Sequence, residues 1–151
     1  MLFVVTLSSW AGTPKPQARI GELLITAESI EETNKVERHS PPRSGYHFVQ
    51  IIGTISNVGK HALCAKISGV LETTFNLESY ALAKVDGQYG GWIHQMLPSE
   101  HAALDFVFDV KDGVKPLVLV VKQGKQQGCS AKERLPITNP QARIAIASIG
   151  N

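Results

Sequence analysis

Several groups of residues in this chain have types and spacings that suggest chemistry. In the stretch GYHFVQIIGTISNVGK, Gly45 to Lys60, the pair Gly53 and Gly59-Lys60 suggests a phosphate-binding loop. Such a loop needs glycines with four residues between them, then Lys and a Ser or Thr, set between a strand and a helix so that amides and the helix N-terminus converge on the anion. Here five residues intervene, His61 stands where the hydroxyl belongs, and Thr54 to Val58 still reads as strand with no helix after it. The loop is excluded, and Asn57-Val58-Gly59-Lys60 reads as a turn that Asn initiates and Gly completes with a positive φ. A second group is His94-Gln95-Met96 with His101 nearby. On a strand, His94 and Met96 would share one face, and imidazole with thioether suits copper(I). The only other methionine is Met1, so a surface histidine beside a core methionine is the competing reading.

Enzyme chemistry finds less support. Asp105 and Asp109 would lie about 13 Å apart on one strand face at about 3.3 Å per residue, too far for a glycosidase carboxylate pair. Neither Gly-x-Ser-x-Gly nor His-Glu-x-x-His occurs. The expectation is a protein that is not an enzyme and carries no cofactor. Two cysteines are present, Cys64 and Cys129. In an oxidising compartment they would pair, and closing a loop of about 65 residues contributes about 4 kcal/mol in the chain-entropy model. Leu63, Ala65 and Ile67 alternate with Cys64, Lys66 and Ser68, so an inward leucine face turns Cys64 outward. The bridge would then pin the C-terminal part of the chain to the outside of a sheet, the alternative being two unrelated reduced thiols.

The elements that must position these groups are strands. The chain has 151 residues, of which 43% are hydrophobic and 19% charged, enough for one domain with a real core. The net charge of +2 is small and scattered. The basic loop residues Lys122, Lys125, Lys132 and Arg134 lack interleaved aromatics, so nucleic acid is not an expected partner. No apolar stretch of about 20 residues occurs, which excludes a helical membrane span. Leu2 to Leu7 is a short apolar run, Ser9 and Ala11 are small, and a Pro-containing spacer follows. This reads as residues 1–11 of a truncated export signal and a 12–18 linker, with a first strand as the alternative.

Strand patterns recur after it. In AALDFVFDV, Leu104, Phe106, Phe108 and Val110 share one face while Asp105 and Asp109 point the other way. PLVLVV, Pro116 to Val121, reads as a central strand with Pro at its entry. Further strands are expected at Ala18 to Ile30, in the opening stretch Gly45 to Lys60, and at Ala62 to Ile67, Val70 to Phe75, Tyr80 to Val85, Trp92 to Leu97 and Arg143 to Ile149. In the opening stretch Val49, Ile51 and Ile55 occupy one face and Tyr46, Phe48 and Ile52 the other, which predicts a central strand covered on both sides, one face by the opposing sheet and the other by the cysteine-tethered tail. Glu31 to Ser44 reads as a crossover or a mobile loop. PQARI occurs twice, at Pro16 to Ile20 and Pro140 to Ile144, as two Pro-initiated edge strands would.

The order of these segments resembles a known family. GYHFVQIIGTISNVGK is similar to the core strand, ending in Asn-x-Gly-Lys, of the secreted immunoglobulin-like domains of unknown function found in bacterial lipoproteins and related to the mycobacterial immunoprotective extracellular protein. LAKVDGQY, Leu82 to Tyr89, looks like that family's Asp-Gly hairpin. MLPSEHAALDFVFDV resembles its Pro-Gly-Glu turn and strand, with Ser99 in place of the Gly, which a type I turn accommodates. PLVLVVK fits its closing strand. The resemblance spans Ile20 to Lys122 and implies an all-β, immunoglobulin-like antiparallel β-sandwich over 19–122, outside the cytoplasm, with 123–151 as a C-terminal extension packed on it. It implies no enzymatic activity and supplies no ligand. The expected function is therefore an exported or envelope-associated interaction module with an unknown protein or cell-envelope partner. The alternatives are a periplasmic copper-handling protein using His94, Met96 and His101, and a purely structural domain of an envelope assembly. Candidate contact residues are Tyr89, Trp92 and His94 around GQYGGW, with a Trp92 buried under a loop as the competing reading.

Overall fold

The computed structural model describes residues 15–124 and 141–146. Among them the strands are β1 (Gln17–Ile20), β2 (Leu23–Thr33), β3 (Tyr46–Asn57), β4 (Leu63–Thr73), β5 (Glu78–Leu82), β6 (Lys84–Val85), β7 (Trp92–Met96), β8 (His101–Lys111), β9 (Pro116–Gln123) and β10 (Gln141–Ala145). They form two antiparallel sheets. Sheet 1 runs β1-β2-β3-β8-β6, and sheet 2 runs β10-β9-β4-β5 with β7 on the first part of β4. The expected antiparallel β-sandwich is thus the fold. No helix among the described residues is long and apolar enough to cross a membrane.

Alternation builds the core. Val49, Ile51 and Ile55 of β3 and Leu104, Phe106 and Phe108 of β8 turn inward against Ile67 and Leu71 of β4 and Leu119 of β9. The Phe106 and Phe108 rings stack at 5.7 Å. Each such side chain contributes on the order of 1.5–3 kcal/mol before entropy is subtracted.

Several boundaries differ from the sequence expectation, each for a physical reason. Ala18 to Ile30 is two strands, because Gly21 at φ 55 makes a two-residue turn between β1 and β2. Conversely, Ala62–Ile67 and Val70–Phe75 are one strand through Gly69. A Cβ at Gly69 would stand 2.8 Å from the Phe106 ring, so this glycine makes room for a core aromatic rather than a turn. Tyr80–Val85 changes sheets at the fully buried Ala83, β5 pairing with β4 and β6 with β8. Ser99 has φ 70, so Leu97-Pro98-Ser99-Glu100 is a type II turn and not type I, closed by Glu100 N–H donating to the Leu97 carbonyl at 3.0 Å.

Domain limits shift as well. β1 begins at Gln17, inside the expected linker, and the expected C-terminal extension supplies β10 as an edge strand of sheet 2. The two PQARI segments thereby find their explanation. Each gives an edge strand, β1 of sheet 1 and β10 of sheet 2, with Ile20 and Ile144 inward and Arg19 and Arg143 outward. Residues 1–11 and Cys129 lie outside the described residues.

Candidate functional site

The turn of the opening stretch is structural. Asn57 is buried, and its side-chain amide donates to the carbonyls of His61 at 2.8 Å and Met96 at 2.9 Å while its side-chain oxygen accepts from Gly59 N–H. The Asn-x-Gly-Lys signature therefore locks two turns together.

The outer face of sheet 1 is different. The segment 34–45 joins the neighbouring strands β2 and β3 of one sheet, so it is not the expected crossover. It lies across the sheet instead. Arg38 at φ 64 turns the loop, and the His39 ring packs edge-on against Phe48 at 5.7 Å. At its far end Arg43 sits 3.8 Å over the Tyr46 ring and 3.3 Å from the Asp109 carboxylate. Phe48, on the outward register of β3, is consequently buried. The expectation that both faces of β3 are covered holds only here. Ile52 on the same face is 42% exposed, and the described cover on Phe48 comes from this loop, the expected cysteine-tethered tail lying outside the described residues.

Beside the loop an open groove of about 580 Å³ runs along the sheet. Its floor carries Gln50, Asp105 and Val107; the loop supplies Lys35, Glu37 and His39. The opposite wall is Tyr80 and Leu82 of β5 with Lys84 of β6. β5 reaches this position because β6 pairs with only Leu104 and Asp105 of β8, and further along β8 the Ser79 hydroxyl donates to the Asp109 carbonyl at 2.7 Å. In the floor, the Gln50 amide donates to both Asp105 oxygens at 3.2 and 3.0 Å. On the wall, the Tyr80 hydroxyl donates to Glu78 at 3.0 Å, and the hydrogen bond to that carboxylate pushes the phenol pKa above its usual value.

Tyr89 closes one end of the groove. The Asp86-Gly87 turn, with φ 47 and 81, is the type I′ geometry that an Asp-Gly hairpin favours. Asp86 ties it to β8 by accepting from Ala103 N–H at 2.9 Å. Gly91 then passes against β4: its φ is 75, and a Cβ there would lie 2.1 Å from the Ile67 carbonyl. Between these fixed points Tyr89 stands 6.1 Å from His39 and 5.1 Å from the Lys84 ammonium.

The other predicted contact residues lie elsewhere. Trp92 and His94 stack at 6.4 Å on the outer face of sheet 2, with Lys66 over the indole at 5.2 Å. Trp92 is half-buried, neither fully open nor sealed under a loop. The shared face expected for His94 and Met96 is not present. Between Ile93 and Met96, β7 carries one residue more than β4 opposite, and this bulge turns Met96 into the core at 5% exposed while His94 stays out. His101 is exposed at the start of β8. Among the described residues, no group of three or more His, Cys, Asp or Glu side chains is arranged to hold a metal.

Cys64 keeps the expected outward register on β4 and is buried there at 1% exposed, with Sγ against the His94 carbonyl in the bulge. Sequence reasoning found Tyr89 but missed Tyr80, His39 and the Gln50–Asp105 pair as members of one site. Their outward alternation was visible; their meeting depends on the loop, on the sheet change at Ala83 and on the Asp-Gly turn together.

No protein-family model matches the chain, and no curated protein matches it. Solved structures do resemble it. An uncharacterised β-sandwich protein from Clostridium difficile 630 aligns at 18% identity and TM-score 0.46, over 75% of this chain and 85% of that one. A protein from Bacillus subtilis subsp. subtilis strain 168, described as a "putative lipoprotein", aligns at 8% identity and TM-score 0.50 over 85% of this chain. This chain spans 38% of the Bacillus protein's length. The likeness is one of fold.

Proposed function

We propose that this chain is a non-catalytic binding module that works outside the cytoplasm, akin to the secreted immunoglobulin-like domains, and that it meets its partner through the groove on sheet 1. The observation that carries this reading is the placement of Tyr89. Two independently anchored elements, the 34–45 loop and the Asp86-Gly87 turn, bring an exposed tyrosine to the end of a groove whose floor holds a polar pair. Sites of ~300–1,000 Å³ with a few convergent polar groups are the usual form of a ligand-binding surface. Export is supported by the apolar run at Leu2 to Leu7, by the β-sandwich likeness to a protein described as a lipoprotein, and by the two cysteines.

The same reading includes a Cys64–Cys129 bridge. Alkylation of both thiols without prior reduction, seen by mass spectrometry of a digest of exported protein, would contradict that pairing. The binding surface is tested by a photo-crosslinking residue placed at Tyr89 or at His94 in the producing cells. Crosslinking to an envelope component from position 89 and not from position 94 is expected. Capture only from position 94 contradicts the groove reading and moves the binding surface to sheet 2, and capture from neither leaves a purely structural domain as its replacement.

A further inference from the structure

We propose that the groove on sheet 1 takes a neutral, hydroxyl-rich oligosaccharide; the inference rests on that groove being the binding surface. Two phenol rings open to solvent border it: Tyr89, 52% exposed, at its end, and Tyr80, 71% exposed, on the part of β5 that pairs with Val70 before the chain turns the corner into β6. The electron-rich face of an aromatic ring attracts polarised C–H groups, and the axial C–H face of a sugar ring presents them in a plane of matching size. Tyr80 is tethered through its hydroxyl to Glu78, so what it presents to a ligand is the ring.

The floor supplies the complementary polarity. Gln50 spends its amide N–H groups on Asp105, which fixes the carboxylate in place and leaves the Gln50 carbonyl and the remaining lone pairs of Asp105 as acceptors. Adjacent sugar hydroxyls donate to such a pair, and Lys84 and Lys35 supply donors at the rim.

Other ligand classes fit less well. Lys35 and Lys84 are balanced by Glu37 and Asp105, so the groove has no excess charge to attract a phosphate or an acidic peptide. An extended peptide added as a strand needs a free sheet edge. Here β8 is paired with β3 along one edge, and its other edge is taken by β6 at Leu104 and Asp105 and by the Ser79 hydroxyl of β5 at the Asp109 carbonyl, which leaves no long run free for an added strand. A peptide anchored by side chains needs a deep apolar pocket, and here the apolar floor is Val107, with Val36, Ala81 and Leu82 along the sides of an open groove.

The test is titration calorimetry of the intact chain with cellohexaose, xylohexaose, maltohexaose and chitohexaose, beside hexagalacturonate and a glutamate-rich peptide as charged probes. At least one neutral hexasaccharide is expected to bind. Its affinity should fall about tenfold or more in Tyr80→Ala, Tyr89→Ala and Asp105→Asn, with circular-dichroism melting curves that remain cooperative. Binding of only the charged probes, binding of none, or sugar binding that all three variants retain would overturn the proposal. If no neutral sugar binds while a crosslinker at position 89 still captures an envelope component, the sugar assignment fails and the groove reading stands. Loss of both results would remove the groove reading too.

Discussion

On the outer face of sheet 2, Val70 stands directly opposite Val120, and both are buried, at 4% and 3% exposed, as is Cys64. On the outer face of sheet 1, Gln50, Asp105 and Val107 occupy equivalent outward positions and remain partly open along the groove, while Phe48 alone of the β3 side chains on that face is fully buried. In both sheets the period of two assigns each side chain to a face, but it does not say whether that face is covered. Covering is a tertiary fact. Sheet 2 buries apolar residues on its outer face, and sheet 1 places a hydrogen-bonded polar pair, with Tyr89 at its end, where solvent reaches, which is why the binding surface is assigned to sheet 1.

The largest effect should come from the point where the chain passes between the two faces. Gly91→Ala would add a Cβ 2.1 Å from the Ile67 carbonyl at a φ of 75. Backbone strain and overpacking together should remove roughly 3 kcal/mol or more in urea denaturation, and a loss under about 1 kcal/mol would show that the turn is not seated on β4. Next comes a matched pair, one residue per face. Phe48→Ala should cost roughly 2–4 kcal/mol and speed hydrogen exchange in the 34–45 loop. Val70→Ala should cost roughly 2 kcal/mol and leave that loop unchanged. If the loop responds equally to both, the two faces are not independent.

A smaller effect of opposite sign is expected at Ser99. Its φ of 70 is left-handed, so Ser99→Gly should raise stability by about 1 kcal/mol; a decrease would mean the hydroxyl contributes more than the strain costs.

The smallest effect concerns the edge of sheet 2. Arg143 of β10 grips Glu72 of β4 with both terminal guanidinium nitrogens, Nη1 and Nη2, and this hydrogen-bonded pairing holds the Glu72 carboxyl below its usual range. The folded state thus binds the Glu72 proton more weakly than the unfolded chain does. The pairing favours the fold above the unfolded pKa, and the benefit disappears as pH falls through the folded value. Amides of β10 should exchange faster in acid, relative to the sheet 1 strands, and Glu72→Gln should remove that difference.

Much of the fold was legible from local pattern. The alternation in β8 needed no knowledge of distant residues, and the turn after Asn57 was visible too, although Gly59 does not take the expected positive φ and Asn57 is held by the distant Met96 carbonyl. Gly69 shows where local reading stops, since the reason for that glycine is the Phe106 ring, remote in sequence. His94 and Met96 show a second limit: one extra residue in β7 against β4 separates two side chains that strict alternation would join. The candidate site was half legible. Tyr89 stood out as an aromatic in a glycine-rich turn, whereas Tyr80, His39 and Asp105 belong to separate elements that only the folded chain brings around one groove.

The central claim, that the exposed face of sheet 1 is the binding surface, is tested most directly by amide chemical-shift mapping of the isotopically labelled chain during titration with solubilised envelope polysaccharide. The account predicts shifts concentrated at Lys35 to His39, Tyr80 to Lys84 and Tyr89 to Gly90, with Lys66, Trp92 and His94 unmoved. Shifts centred on Trp92, His94 and Lys66, with the groove residues silent, would contradict it.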